Sequence, residues 1–499
     1  MNRLCLPFAM AAAALMAGCS LQPHYQRPAT GVAAAFPTGD AYRASAPAGT
    51  ARQLPAVDIG WRNFFGDPRL RALVGLALRN NRDLRVSALQ VQEAAAQYRI
   101  VRAGLFPTVN ATASDTRSHV PADLSSSGKG VSGVYSVGLG AASWELDFWG
   151  RIRSLKAQAL AQYLATAQAR KAAEISLVSQ VADQYLTVRA YDEQLKVTRE
   201  TLRNAEASYQ LARLQFNVGT GSELTLREAQ GVVEQARASL ASQLRLRAQA
   251  ENALTLLVGE PLPADLPAPL PLDDQHILAD IPAGLPSDLL TRRPDIMAAE
   301  QRLRAANANI GAARAAFFPK IALTAQYGTE SATLGGLFKA GSTAWSFVPQ
   351  ITLPIFDAGT NLANLDLAHL QKHVAIAQYQ KTIQTAFREV SDGLAARGTY
   401  DDQIAALQRY VVSQQRRLDL SNLLYKNGAA SYLTVLTAQT DLYSAQQSLI
   451  AARMQRLTNL VDLYQYLGGG WIAHTGDAPR PADAPMQVGA SGGAGAASD

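Results

Sequence analysis

Two stretches of the chain, residues 214–240 and 423–449, each indicate two helices joined by a glycine-containing turn. Gly219 and Gly428 mark the turns, because glycine adopts the left-handed backbone conformation that ends many helices. After each turn, apolar residues recur at alternating spacings of three and four, which is typical of packed antiparallel helices. The two seams contain Leu226, Ala229, Val233, Ala236 and Leu240, and Val435, Ala438, Leu442, Ala445 and Leu449. Taken alone, each stretch also fits an ordinary helical hairpin in a globular core.

The two stretches belong to an internal repeat that covers most of the chain. Residues 78–114 align with 290–326 at a shift of 212, and the two hairpins align at a shift of 209. A duplication of about 190 residues predicts two similar half-structures related by pseudosymmetry. We place the first repeat at 67–258 and the second at 287–467.

Both repeats follow the same plan. An alanine-rich helix ends before Pro107 or Pro319, because the residue before proline favours extended backbone. Two strand-like runs follow, then a proline-free helical run that spans on the order of 100 Å at 1.5 Å per residue, and then the return helix. The first repeat is predicted to contain helix 80–105, strands 108–120 and 131–146, and helices 150–217 and 222–258. The second is predicted to contain helix 294–317, strands 321–330 and 345–353, and helices 360–427 and 431–466.

The four strand-like runs alternate between apolar and small or polar residues, which is typical of strands that cross a membrane. In one of them Tyr135, Val137 and Leu139 alternate with serine and glycine. A small soluble sheet is the alternative. Four strands cannot close a barrel and lipid tolerates no open edge, so a dimer would have to supply eight strands or a trimer twelve. Twelve strands can leave a lumen, whereas eight are filled by side chains, so a conduit favours the trimer.

The N-terminus predicts a secreted lipoprotein. Arg3 and an apolar, alanine-rich run precede the sequence LMAGC, which ends at Cys19 and resembles a bacterial lipoprotein cleavage site. We predict a signal peptide at 1–18, acylation of Cys19 after cleavage, and a lipidated arm at 19–66, whose end docks through Trp61 and neighbouring aromatic residues. A secreted protein with an incidental cysteine is the alternative. Beyond residue 19 no apolar run reaches eighteen residues, so we expect strands rather than helices to cross any membrane.

Composition and motifs argue against several other functions. The chain has 46 Lys and Arg against 40 Asp and Glu, without a long basic block, so nucleic-acid binding is a poor fit. We find no nucleophile elbow, P-loop or dinucleotide fingerprint, and His369 and His373 lack a third metal ligand. We therefore expect no catalytic residue, metal or cofactor. The proline-rich segment 259–286 predicts a stiff linker, and the glycine-rich segment 468–499 predicts a disordered tail.

Three motifs resemble those of the TolC-like outer-membrane efflux proteins. They are LLTRRPDIMAAEQRLRAANANIGAARAAFFPKIALTA at 289–325, SWELDFWGRIR at 143–153 and LPIFDAG at 353–359. The lipoprotein site points to the OprM/NodT-type branch of that family. The resemblance implies a homotrimer with a shared twelve-strand barrel in the outer membrane and a twelve-helix tunnel in the periplasm. It also implies a periplasmic membrane-fusion adaptor, an inner-membrane RND-type transporter, and antibiotics and other small toxic compounds as the exported substrates.

The same resemblance implies roles for particular residues. Cys19 would carry N-palmitoyl and S-diacylglycerol groups, and Ser20 after it favours the outer membrane. The hairpins would form the periplasmic tips, which dock the adaptor and close the entrance. The entrance aspartates of the family fall on Thr434 and Thr437, so this chain departs from the pattern there. Glu223 and Glu228 in the first tip are the alternative source of charge, although a solvated helix face fits them equally well.

Three functions remain open on the sequence alone. The first is a passive efflux duct for small molecules. The second is an outer-membrane duct for type I protein secretion, which would pair with an ATP-driven transporter. The third is a lipid-anchored coiled-coil scaffold without a pore, which would not need four alternating strands.

Overall fold

The computed structural model describes residues 20–42, 54–119, 121, 131–279 and 281–483. The signal peptide 1–18, Cys19 and residues 484–499 of the predicted tail therefore lie outside the described residues. The chain divides into two compact units. We call them the sheet unit, with residues 20–29, 90–166 and 298–379, and the helical unit, with residues 30–89, 167–297 and 380–483.

Helices make up most of both repeats. The first repeat and its approach contain α1 (Trp61–Phe64), α2 (Pro68–Asn80), α3 (Arg82–Ala103), α4 (Arg151–Asn217) and α5 (Glu223–Val258). The second contains α6 (Leu289–Arg292), α7 (Pro294–Ala315), α8 (Thr360–Lys426) and α9 (Tyr432–Tyr466). Both α4 and α8 run for 67 residues, since neither contains the proline that would break it. Among the described residues, no helix is both long and apolar enough to cross a membrane.

Helix α2 is an element that the repeat pattern did not predict. Asp67 begins it, because the carboxylate accepts a hydrogen bond from the Arg69 amide at 2.7 Å and Pro68 suits the first helical position. Asn81 separates α2 from α3, and its side-chain oxygen accepts from the Leu84 amide at 2.8 Å. Capping by single polar residues thus divides what reads as one helical region.

The four strands form one antiparallel sheet in the order β1, β2, β3, β4. They are β1 (Val109–His119), β2 (Val131–Leu146), β3 (Lys320–Ser331) and β4 (Thr343–Thr352). The two repeats meet where β2 pairs with β3, and the register shifts there between Ala141 and Trp144. β1 and β4 are the edge strands, so each has one side that no strand of this chain pairs with among the described residues.

Aromatic residues form the core of the helical unit. Phe64 stacks on Tyr464 with ring centroids 4.0 Å apart, and the Tyr464 hydroxyl donates to the Ile59 carbonyl at 2.6 Å. The Tyr185 hydroxyl donates to Asp67 at 2.5 Å. Trp61, which the sequence assigned to docking of the arm, is buried beside them together with Phe64 and Phe65.

The C-terminal segment differs from the predicted disordered tail. Residues 468–483 are ordered against the helical unit, so the predicted disorder is wrong for them. Trp471 and Ile472 are buried against Ile175 of α4, and the Trp61 amide donates to the Ile472 carbonyl at 3.0 Å. Two large apolar side chains supply this packing, although glycine, alanine and proline dominate the average composition.

The proline-rich linker is fixed to α4 rather than free. The Arg189 guanidinium donates to the Leu270 carbonyl at 3.0 Å, and the Leu272 amide donates to Glu193 at 2.9 Å. Leu272 is fully buried in the short 3-10 turn Leu272–Asp274. The linker is therefore part of the helical unit.

Candidate functional site

The turns of the two hairpins have the same backbone geometry. Gly219 and Gly428 adopt positive φ angles of 78° and 72°. The Thr220 amide donates to the Gln215 carbonyl at 2.9 Å, and the Ala429 amide donates to the Leu424 carbonyl at 2.9 Å. These bonds satisfy carbonyls at the helix end, and their identical spacing reflects the repeat.

The second tip carries hydroxyl groups where the resemblance implies acids. Thr434 is half-buried, and its hydroxyl lies 3.4 Å from that of Ser431 at the start of α9. Thr437 is exposed, and its hydroxyl donates to the Leu433 carbonyl at 2.9 Å. Both threonines are thus engaged locally, and neither supplies charge to the tip.

The two acids of the first tip have different surroundings. Glu223 is exposed and forms a salt bridge with Arg227 at 3.3 Å. Glu228 is half-buried, and no cation pairs with it among the described residues. Burial raises the pKa of Tyr432, and the nearby hydroxyl of Tyr425 and carboxylate of Glu228 raise it further, against a hydrogen bond from Ser208. Glu228 therefore lies close enough to Tyr432 of the second hairpin for its charge to act on that hydroxyl.

A hydrophobic tip cluster joins the two hairpins. Its buried members are Ala212, Ala229, Tyr432, Val435 and Leu436, with Tyr209, Val232, Leu418 and Tyr425 packed around them. The rings of Tyr425 and Tyr432 lie 5.2 Å apart, and the Tyr425 hydroxyl donates to the Gln215 side chain at 3.2 Å. The seam pattern identified Ala229 and Val435, but the two tyrosines were missed. The sequence signal that could have identified them is that Tyr425 and Tyr432 stand seven residues apart, one on each side of the turn.

Ion pairs join each long helix to its return helix beyond the tip cluster. Arg237 of α5 lies 3.0 Å from Glu206 of α4, and Arg417 of α8 lies 2.5 Å from Asp441 of α9. All four side chains are substantially exposed. Each pair therefore contributes at most about 1 kcal/mol, and the apolar seam is the larger stabilising contribution.

The sheet has one apolar and one polar face. Large apolar residues on one face, such as Leu139, Tyr327 and Trp345, lie opposite each other across β2, β3 and β4 and are exposed. On the other face the hydroxyls of Ser114 and Ser136 are 2.8 Å apart. This division suits a sheet with lipid on one side and water on the other.

The described residues contain no group of three or more His, Cys, Asp or Glu that could hold a metal ion. The polar groups at the tips and on the sheet serve turns, caps and cross-strand pairs.

Comparison with known proteins identifies the family. The family model described as "Outer membrane efflux protein" matches residues 73–260 and 285–469. The toluene efflux pump outer membrane protein TtgC of Pseudomonas putida is 50% identical over 469 residues, covering 94% of this chain and 96% of TtgC. Outer membrane protein OprJ of Pseudomonas aeruginosa is 45% identical over 465 residues, covering 93% of this chain and 95% of OprJ.

Solved structures are similar over the same extent. The open state of the MtrE outer membrane channel of Neisseria gonorrhoeae superposes with a TM-score of 0.82 at 42% identity, covering 92% of this chain and all of that one. A structure of CusC gives a TM-score of 0.78, also at 42% identity. The predicted fold class, a channel built from long helical hairpins and a four-strand contribution to a barrel, is confirmed. The chain belongs to the outer membrane efflux protein family and is a channel component, not an enzyme.

Proposed function

We propose that this protein is the exit duct of a tripartite efflux pump, through which antibiotics and other small toxic compounds leave the cell passively. The observation that carries the proposal is the sheet, which has one apolar face and one polar face. In addition, among the described residues no strand of this chain pairs with the outer edge of β1 or of β4. A duct needs this arrangement, whereas a scaffold without a pore does not.

The unpaired edges argue for a homotrimer in the outer membrane. An open edge leaves backbone groups without hydrogen bonds, and lipid does not replace those bonds. Three copies would join β1 of one chain to β4 of the next and close a barrel of about twelve strands around a lumen. The polar face of the sheet would line that lumen, and the apolar face would contact lipid.

The tips are the surface on which we expect the periplasmic adaptor to dock. Large apolar side chains are exposed around both turns, and they include Leu214, Val218, Leu224, Leu423 and Leu433. Exposed apolar patches of this kind mark contacts with other proteins. The adaptor would connect the duct to an RND-type transporter in the inner membrane, and relatives named for toluene and antibiotic efflux support small-molecule export.

Lipidation of Cys19 and the entrance roles of Glu223, Glu228, Thr434 and Thr437 belong to the same proposal. The cleavage site supports the anchor, because a small-residue motif directly precedes the cysteine. At the entrance, the half-buried Glu228 is the better source of charge, since Arg227 neutralises Glu223.

The direct test combines mass and conductance. The molecular mass of the purified protein is measured in detergent, and its single-channel conductance is recorded in planar bilayers. The protein is also expressed in a strain that lacks its own efflux duct. We expect a species of three chains, discrete single-channel currents or a closed trimer that the adaptor opens, and restored resistance to small toxic compounds. A monomer that never conducts would contradict the proposal and favour the scaffold. A duct that restores only protein export would favour type I secretion.

A further inference from the structure

The N-terminal arm lies along one stripe of α7 in the sheet unit. The residues of α7 that meet it are Glu300, Arg304, Asn307, Gly311 and Arg314. Their spacings of four, three, four and three place them on a single face of the helix. The arm runs antiparallel to α7, since Arg27 meets Glu300 at one end and Leu21 meets Arg314 at the other.

A buried carboxylate holds the far end of the arm. The Arg27 guanidinium donates to both oxygens of Glu300 at 2.8 and 3.3 Å, and the Tyr25 hydroxyl donates to it at 3.2 Å. Glu300 is only 5% exposed, and Arg304 also donates to it at 2.9 Å. Burial alone would raise the pKa of Glu300, but the hydrogen bonds from Arg304 and Arg27 outweigh it and lower the pKa. A charge-assisted, two-pronged pair of this kind fixes orientation as well as position.

The near end of the arm is held through its backbone. The fully buried Asn307 donates from its side chain to the Pro23 carbonyl at 2.8 Å. A Cβ atom added at Gly311 would come within 2.9 Å of the Gln22 Cα atom, so the arm approaches α7 as closely as a glycine permits. Contacts with backbone atoms make this end independent of the arm's side chains.

The other copy of the repeat lacks four of these five residues and keeps only the arginine that corresponds to Arg314. At the shift of 212, the stripe of α7 corresponds to Ala88, Gln92, Ala95, Arg99 and Arg102 of α3. No carboxylate stands at the position of Glu300, and an arginine occupies the position of Gly311. Because α3 forms the same helix without the stripe, the fold itself does not require it. The stripe is therefore specific to the arm.

The direction of the arm places the N-terminus near the end of α7 that leads into the sheet. Leu21 lies at the end of α7 that leads, after Pro319, into the first residue of β3, Lys320. We propose that this face of α7 is a receptor that holds the lipid-bearing N-terminus at the base of the sheet. The inference rests on the proposed lipidation of Cys19, which precedes Leu21 by two residues. If the arm were free, the position of the lipid anchor relative to the sheet would vary over on the order of 20 Å, whereas a docked arm fixes that position.

A distance measurement tests the proposal in the full-length trimer. Spin labels are placed at Leu21→Cys and Thr352→Cys, and labelled chains are diluted with unlabelled ones so that distances within one chain are read. Processing removes Cys5, and the lipid blocks Cys19, so these are the only free thiols. We expect one narrow distance distribution in the parent protein. In a variant that combines Arg27→Glu with Asn307→Ala, the residue type at the equivalent position of α3, both ends of the arm lose their contacts, and we expect a distribution that is about twofold broader.

Controls separate docking of the arm from general effects. Gln26→Glu adds a carboxylate to the exposed neighbour of Arg27 and should keep the narrow distribution. If the distribution stays narrow when Arg27→Glu, Tyr25→Ala and Asn307→Ala are combined, or if the parent protein is already broad, the receptor is refuted. An unacylated Cys19 in the mature protein, read by mass spectrometry, would also refute it. Single-channel currents should be equal in all variants, so failure of the receptor is distinguishable from failure of the duct.

Discussion

At the scale of single residues, the helical unit holds a carboxyl group in surroundings that do not favour its charge. Asp183 of α4 has a buried side-chain oxygen with no hydrogen-bond partner among the described residues. Burial and the nearby Asp462 carboxylate raise the pKa of Asp183 to about 8, against a hydrogen bond from Thr458. Arg293, which like Asp183 and Asp462 lies near Tyr466, pairs with Glu389 at 2.8 Å and with Asp295 at 2.6 Å. The raised pKa therefore favours the protonated form of Asp183 at neutral pH.

Asp183→Asn should change how stability depends on pH. The folded-state pKa is raised above the usual aspartate value of 3.8, so the contribution of Asp183 to stability is fully present below pH 4 and is lost progressively as pH rises towards 8. Asparagine cannot ionise, so the stability of the variant relative to the parent protein should rise by about 1.4 kcal/mol for each pH unit between pH 4 and pH 8. Thermal unfolding of the trimer at pH 5, 7 and 9 measures the difference.

Asp392 provides a matched control, because it occupies the position equivalent to Asp183 at the repeat shift of 209. It is exposed and pairs with Arg388 at 3.5 Å. Asp392→Asn should therefore shift the melting temperature equally at all three pH values. A parallel response of Asp183→Asn would show that Asp183 is ionised in the folded protein.

The residue scale is also where prediction from sequence fails most. Asp183 and Asp462 belong to no motif, and each is one of many acids on long helices. Their proximity depends on which face α4 turns towards α9, and the hydrophobic pattern of a helix that is buried on several sides defines no single face. By contrast, Gly219 and Gly428 were predictable, because a helix end constrains the backbone locally.

At the scale of elements, both repeats contain the same joint. In each, the residue just before α3 or α7 donates a hydrogen bond to a carbonyl at the end of the return helix of that repeat, α5 or α9. The Asn81 side chain donates to the Leu257 carbonyl at 2.9 Å, and the Arg293 guanidinium donates to the Tyr466 carbonyl at 3.2 Å. The helices end at Gly259 and near Gly468, whose φ angles are 82° and 85°. The repeat predicted both helices but not the joint, because its polar partners differ in type.

Gly259→Ala should destabilise the protein more than Gly428→Ala does. Both glycines have positive φ, which costs an alanine about 1 kcal/mol. At Gly259 the new Cβ atom would also lie 2.5 Å from the Asn80 carbonyl oxygen, whereas at Gly428 no described heavy atom lies within 4 Å of it. We therefore expect about 2 kcal/mol more loss at Gly259, read from thermal unfolding. Equal losses would mean that the joint relaxes freely.

The ordered part of the C-terminal segment should contribute to stability as an element. Beyond the burial of Trp471 and Ile472, Arg480 lies over the Trp471 ring at 4.5 Å and pairs with the buried Glu174. A chain that ends at residue 470 should therefore lose about 3 kcal/mol or more relative to one that ends at residue 483. Melting of the two truncated chains compares them directly, and equal melting temperatures would contradict the packing role.

At the scale of the whole molecule, the need for other subunits was predictable from counting strands, since four strands in lipid must be completed. Which acid serves the tip was not. Glu223 and Glu228 are five residues apart on α5, so at 100° per residue their side chains point about 140° apart around the helix. Only the folded arrangement of the hairpins shows that Glu228 lies near Tyr432 of the tip cluster, whereas Glu223 is exposed and pairs with Arg227.

Three copies would bring three Glu228 side chains to one entrance, and this yields the final prediction. A cluster of three carboxylates attracts multivalent cations, so Glu228→Gln should weaken block of single-channel current by a trivalent cation about tenfold, equivalent to about 1.4 kcal/mol. Glu223→Gln, which removes a charge that Arg227 already balances, should change the block by less than about twofold. If Glu228→Gln leaves both block and conductance unchanged, Glu228 is a solvated residue of the helix face and the entrance is uncharged.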